Sequence, residues 1–510
     1  STRSPSSPHC SDWAETASDS TAFRCAHGPW WSDPRRGQTE RRVNGEPMSY
    51  ERMTAADAVF LRIETPHEPQ HVGSLSGIEG TPIRDADGRV RFDELKAHVE
   101  RRLHRVPRMR QRVMEVPYNQ ARPVWVDDDR FDIDHHVRLT ALPRPGDDDQ
   151  LATLMGRLQA LPLDRSRPLW EMWFVDGLVD GHVGLIIKVH HALGDGMANV
   201  DLAMALIDLE ADPPPDEPAP GWRPAPAPSP NDLLVDALRE QATRPARLAR
   251  TALETLRDPR PAIDATVNVG RTVASFLAKP PPAPWNQPVG SHRRWVSASV
   301  PMTGVRTVRE RHGVTINDVV LAACTGALRT FLLEHGDTDI EQREIKAMVP
   351  VSLRGHEQRG DTLGNLVSLI VVDLPVDEAD PVERLRRIHE MTSELKGSGL
   401  VDGAHRILDI ADAITPLAGP LTRYVSRTIP MNLVITNIPG PPIPLYLRRA
   451  RFLRVFPYVE VIDNEGLTIA VVSYEDQLHF GITADRDVMP DLGDVAASIE
   501  HEFSGLVTRH

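Results

Sequence analysis

Nine prolines fall within residues 213–230. Proline fixes φ and carries no N–H, so neither a helix interior nor a central strand runs through such a stretch. The chain of 510 residues must divide there, and that length already exceeds what one core organises. A second break, KPPPAPW at 279–285, closes a connector placed at 211–290. Between the breaks, residues 231–257 read as a helix. It carries Leu233, Leu234, Leu238, Leu248 and Leu256 among Arg239, Arg244, Arg247, Arg250 and Arg257. That pattern is either a solvated face or a contact for anionic lipid. Residues 1–47 are rich in Ser, Arg, Asp and Gly without periodicity and are expected to form a disordered tail. They lack the apolar core of a signal peptide, and Met48 opens a segment that reads as a natural start.

Both halves read as sheet plus helices, an α/β (α+β) chain. In the first, 48–210, Thr54 leads a helix in TAADAVFLRIETP. Residues 91–108 show helical spacing, and PVWVDD is a short strand. Leu151–Leu161 is a helix, and RPLWEMWFVDGL and HVGLIIKVH are strands joined by a turn at 179–181. A further helix is expected from Met197 to Leu209. In the second half, 291–510, RRWVSASVP opens as a strand and 303–312 form a helix. Thr315 then caps a longer helix, with Asp318 three residues on. Strands are expected at 345–352, 366–374, 431–437, 467–474 and 478–483, with an amphipathic helix over 381–397.

Composition narrows the function. The net charge of -14 argues against a nucleic-acid partner, because phosphate binding needs a basic face. Three cysteines show neither metal spacing nor a disulfide framework, and Cys324 reads as a small buried hydrophobe. No metal or prosthetic group is expected. No apolar run reaches the roughly 20 residues of a membrane span. A cytoplasmic protein is expected.

The chemistry concentrates in His190-His191-Ala192-Leu193-Gly194-Asp195-Gly196, at the end of a predicted strand. Neighbouring side chains on a strand face opposite ways, so one imidazole works and the other packs behind it. A neutral imidazole with a pKa near 6.5 suits a general base. Asp195 is poorly placed to reach an extended His191 and is expected to hold the turn, with Gly194 and Gly196 relaxing its backbone. No G-x-S-x-G elbow supplies a nucleophile, which favours direct transfer between two bound substrates. His135-His136 has no D-G behind it and is assigned to packing.

The HHxxxDG run resembles that of the CoA-dependent acyltransferase superfamily, which includes chloramphenicol acetyltransferase and peptide-synthetase condensation domains. The wider order of pieces resembles the bacterial wax ester synthase/diacylglycerol acyltransferases. Those pieces are DAVFLRIETP with HVGSL, RPLWEMWFVDGL, HHALGDG, GVTINDVVLAACTGALR, MVPVSLR with LGN, and NLVITNIPGP. They run from about Met48 to the C-terminus. The resemblance implies two chloramphenicol-acetyltransferase-like domains with an active-site tunnel at their interface. It implies His191 as the base, with His190, Asp195 and Gly196 completing the catalytic set. Asn317, Asp318, Arg354, Asn365, Thr436 and Asn437 are the substrate-side candidates it implies. Several have plainer roles open: capping for Asp318, a surface position for Arg354 (its functional role would be an ion pair with Asp195), and turn chemistry for Thr436 and Asn437. Pro168, Leu169 and Trp170 read as core, although the resemblance links them to tunnel shape. Thr436 stands where relatives often carry serine.

The expected activity is long-chain acyl transfer from acyl-CoA to diacylglycerol, with fatty alcohols as second acceptors. Peripheral contact with a membrane or lipid-droplet surface is expected to supply the acceptor. Two other readings stay open: acylation of another lipid or polyketide hydroxyl, and a non-catalytic lipid-surface binding protein.

Overall fold

The computed structural model describes residues 41–43, 46–48, 50–194, 203–216, 221–242, 281–352, 367–397 and 431–509. The first described element is a small hairpin, β1 (Arg41–Val43) and β2 (Glu46–Met48), at the end of the stretch expected to be a tail. The first half follows as β3 (Glu51–Arg52), α1 (Ala55–Ile63), β4 (His71–Ile78), α2 (Phe92–Arg102), β5 (Gln111–Met114), β6 (Val124–Asp127) and β7 (Val137–Ala141). It continues with α3 (Asp148–Ala160), β8 (Trp170–Asp176) and β9 (Val183–His190). The second half contains β10 (Arg293–Pro301), α4 (Met302–His312), α5 (Ile316–Glu334), β11 (Ile345–Ser352), β12 (Val367–Leu374) and α6 (Pro381–Gly397). It ends with β13 (Leu433–Ile438), β14 (Tyr446–Leu447), β15 (Ala450–Val459), β16 (Leu467–Tyr474), β17 (Gln477–Asp485) and α7 (Leu492–Thr508).

Local chemistry sets several of these boundaries. Thr54 accepts the Asp57 N–H at 3.1 Å and starts α1. Thr315 and Asp318 form a full capping box on α5, each side chain taking the other's backbone N–H. That helix is long and apolar enough to cross a membrane by length and composition, yet its residues lie mostly inside the second core. Cys324 sits there with no exposure, and burial pushes its thiol up to about 12.

Two six-stranded mixed sheets carry the cores. One has the order β14-β15-β4-β9-β8-β7 and the other β10-β17-β16-β13-β11-β12. The first sheet draws its strands from both halves of the chain. Strands β14 and β15 lie beyond residue 291, yet β15 pairs antiparallel with β4 from Phe452↔Ile78 to Val459↔Val72. The second half thus completes the first half's sheet. Asp208 makes a backbone bridge to Tyr446, which ties the end of the first half to this crossing hairpin.

The described parts of the connector include the start of the expected helix and the segment from residue 281. Residues 230–242 are helical, and Leu233 and Ala237 pack on Val116, Val124 and Val126 above the small sheet β3-β6-β5. Asp236 accepts from Tyr50 and Arg52. Trp285, placed in the connector by the sequence, is buried in the second core and donates Nε1–H to the Asn432 carbonyl.

The two sheets meet closely where β17 passes β15. A methyl group on Gly481 would sit 1.7 Å from the Pro457 carbonyl oxygen. Backbone cannot retreat cheaply there, so Gly481→Ala is expected to cost at least about 2 kcal/mol of stability. Chemical denaturation measures this; an unchanged midpoint would show that the sheets are not in this contact.

Candidate active site

Strand β9 ends at His190, and a single 3-10 turn, His191–Leu193, follows. The turn is fixed from both sides. The His191 N–H donates to the Gln70 carbonyl at 2.8 Å, and the Ala192 N–H donates to His190 Nδ1 at 3.0 Å. The second bond settles the tautomer of His190. Its Nδ1 accepts, so the ring hydrogen sits on Nε2.

That Nε2 faces Glu64 Oε1 at 3.4 Å. His71 reaches the same oxygen from β4, with Nε2 at 3.5 Å. The pairing register sets His71 directly opposite His190, so both rings fall on one face of the sheet. Arg165 closes the cluster from outside, donating Nε–H at 2.8 Å and Nη2–H at 2.5 Å to Glu64 Oε2. Burial alone would raise the Glu64 carboxyl. The facing His190 and the Arg165 guanidinium outweigh it and hold the group at about 2. Burial pushes His190 below its ordinary value, and His71 well below. The cluster is therefore a carboxylate held between two buried imidazoles, with a guanidinium outside.

His191 follows in the turn and is half-buried. Its ring lies flat on Phe60 of α1, with centroids 3.9 Å apart and planes 9° from parallel. One helix thus serves both histidines: Glu64 faces His190, and Phe60, one turn earlier, faces His191. Sequence reasoning missed Glu64, His71 and Phe60. All three lie in the quoted pieces DAVFLRIETP and HVGSL, where a carboxylate and a histidine beside apolar helix and strand residues are the available signal.

Asp195, Gly196, Arg354 and Asn365 lie outside the described residues. So do much of the expected helix over 197–209, of which residues 203–206 are described as helical, and connector residues 243–280, including Leu248 and Leu256. Asp318 has no exposure, and its carboxylate is committed to structure. It accepts from the Thr315 N–H, from Thr392 Oγ1 at 2.8 Å, and meets His389 Nδ1 at 2.8 Å. Asn317 beside it is half-buried. Thr436 stands on β13 with its Oγ1 buried and no hydrogen-bond partner among the described residues; Asn437 follows, half-buried. A buried unpartnered hydroxyl is an atom available to a substrate carbonyl.

Pro168, Leu169 and Trp170 are buried, with Trp170 donating to the Met109 carbonyl at 2.8 Å. His136 stacks between Trp170 and Phe131, and its Nδ1 lies 2.8 Å from the Trp170 carbonyl. That pair is held by packing. Among the described residues, no group of three or more His, Cys, Asp or Glu side chains is arranged to hold a metal ion.

Comparison with known proteins places this geometry. The wax ester synthase/diacylglycerol acyltransferase catalytic domain matches residues 53–320, and the C-terminal domain of the same family matches residues 363–506. The probable diacylglycerol O-acyltransferase tgs1 of Mycobacterium tuberculosis is 33% identical over 473 residues, covering 89% of this chain and 95% of that protein. The probable diacylglycerol O-acyltransferase tgs2 of the same organism is 35% identical over 475 residues, covering 89% and 98%. Among solved structures, the wax ester synthase/diacylglycerol acyltransferase of Marinobacter aquaeolei superposes with a TM-score of 0.63 at 27% identity, covering 88% of this chain and 97% of that one. The first condensation domain of the calcium-dependent antibiotic synthetase shares the fold at 15% identity, with a TM-score of 0.55 and coverage of 90% and 96%. The chain belongs to the wax ester synthase/diacylglycerol acyltransferase family.

Proposed function

We propose that this protein transfers a long-chain acyl group from acyl-CoA to the free hydroxyl of diacylglycerol, with fatty alcohols as second acceptors, and that His191 is the general base. The observation that carries the reading is the division of labour between the two histidines. His190 is locked by Glu64 and by the Ala192 N–H. His191 stands half-buried in the turn beyond, its backbone bonded to Gln70 and its ring flat on Phe60.

His191 takes the acceptor's hydroxyl proton as the oxygen attacks the thioester carbonyl. The tetrahedral intermediate collapses, the C–S bond breaks, and the imidazolium returns the proton to the departing CoA thiolate. The products are an ester and CoA thiol, with no net proton change. No covalent acyl-enzyme is required. Buried Thr436 Oγ1 is a candidate donor to the developing oxyanion. Release of CoA thiol, followed with diacylglycerol, a fatty alcohol and no acceptor in parallel, tests the assignment. Release that ignores the acceptor would overturn it.

We also propose reversible contact with an anionic lipid surface through the connector helix, in a cytoplasmic protein. The acceptor is nearly insoluble and must be collected from a membrane or droplet. Leu238 is 50% exposed and Arg239 beside it is exposed, while Leu233 is spent on packing. Each basic residue near such a surface contributes about 1 kcal/mol. Replacing Arg239, Arg244, Arg247 and Arg250 with Gln is expected to weaken flotation with anionic vesicles, and unchanged flotation would move the contact elsewhere.

A further inference from the structure

An apolar side chain beside a histidine is ordinary; a parallel ring at van der Waals distance is a more specific arrangement. The Phe60 and His191 centroids are 3.9 Å apart and the planes differ by 9°. The helix that holds Phe60 is itself tightly placed. Its start is capped by Thr54, and near its end the Leu61 carbonyl accepts from Arg165 at 2.7 Å. The same guanidinium binds Glu64 one turn beyond Phe60. The ring is therefore presented by a fixed element, and it meets a turn that is also fixed, through Gln70 and His190.

Such a face does two things that a bare hydrocarbon does not. It restricts rotation of the imidazole to one plane, so the ring nitrogens keep their direction while substrates exchange. It also offers the negative side of an aromatic quadrupole to a cation. In the proposed cycle His191 is a cation only between taking the hydroxyl proton and returning it to the thiolate. An interaction that strengthens only then lowers the barrier and raises kcat without tightening substrate binding.

We propose that Phe60 is a positioning residue for acyl transfer, holding the plane of His191 and stabilising its imidazolium form; this rests on His191 being the general base. The competing role is simple packing. Phe60→Leu and Phe60→Met separate the two, because both keep an apolar side chain and remove the ring face. Phe60→Tyr restores the face.

Steady-state CoA release with saturating acceptor, alongside thermal melting, gives the answer. For Leu or Met, whichever melts as the parent does, kcat is expected to fall roughly three- to thirtyfold, the range a cation over a partly or fully desolvated ring supports. KM for acyl-CoA should stay within about twofold, and Tyr should return kcat to within about twofold of the parent. Unchanged kcat in a folded Leu or Met variant overturns the proposal. So does equal impairment in Leu, Met and Tyr, which would mean that shape alone matters. The two readings fail separately: a folded His191→Ala variant with normal turnover removes the general base, whereas an inactive His191→Ala beside a fully active Phe60→Leu removes only the role of Phe60.

Discussion

His191→Ala is expected to reduce acyl transfer by roughly 10²–10⁴ while leaving the protein folded. Loss of the base removes proton abstraction from a hydroxyl that is otherwise a poor nucleophile. The backbone N–H of residue 191 keeps its bond to Gln70 in the variant, and the side chain is half-buried rather than part of either core. CoA release and thermal melting, measured on the same preparation, check both halves. A folded variant with near-parental turnover would exclude His191 as the base.

Glu64→Ala is expected to do the reverse, damaging the fold first and turnover as a consequence. The Glu64 side chain is 6% exposed and serves Arg165, His190, His71 and the Gln70 N–H together. Removing the carboxylate leaves the buried His190 Nε2–H and the Gln70 N–H without their acceptor and takes the partner from Arg165, at a cost of about 1–3 kcal/mol for each buried group left unpaired. The pH dependence gives a second check. The folded-state pKa is depressed from 4.5 to about 2. The associated stability is therefore present above about pH 4.5 and is lost as pH falls towards 2; a shift of that size corresponds to about 3 kcal/mol. Urea unfolding should show a wide gap between parent and variant at neutral pH that narrows in acid. A variant as stable as the parent at pH 7 would contradict the assignment.

What the sequence made legible was local. Strand alternation alone would set His190 and His191 on opposite faces, but β9 ends at His190 and His191 belongs to the turn after it, so both rings meet α1, one at Glu64 and the other at Phe60. The T-x-x-D spacing marks the α5 cap, and Thr315 and Asp318 form it. What stayed hidden depends on pairing between distant segments. His71 meets His190 only because β4 and β9 pair in one register, 119 positions apart along the chain. Phe60 and Glu64 reach the histidines only once α1 docks on the turn after β9. Strand β15 gave no sign of its destination: ARFLRVFPYV carries two arginines and a proline among its apolar residues, and no break in composition sets it apart from the second half. Trp285 was masked by its prolines, although a tryptophan between two breaks is itself a sign of anchoring.

The crossing of β15 has a consequence for how the chain is made. Until residues 452–459 leave the ribosome, β4 is an unpaired edge one strand away from the one that carries the histidines. At about 5–20 residues per second, synthesis from Ile78 to Val459 takes roughly 20–80 seconds. During that interval an incomplete apolar sheet waits with its hydrogen-bonding groups open, the condition that invites pairing with other chains. Nascent chains stalled in the connector should therefore be bound by chaperones and sensitive to protease, and both traits should disappear once the second half emerges.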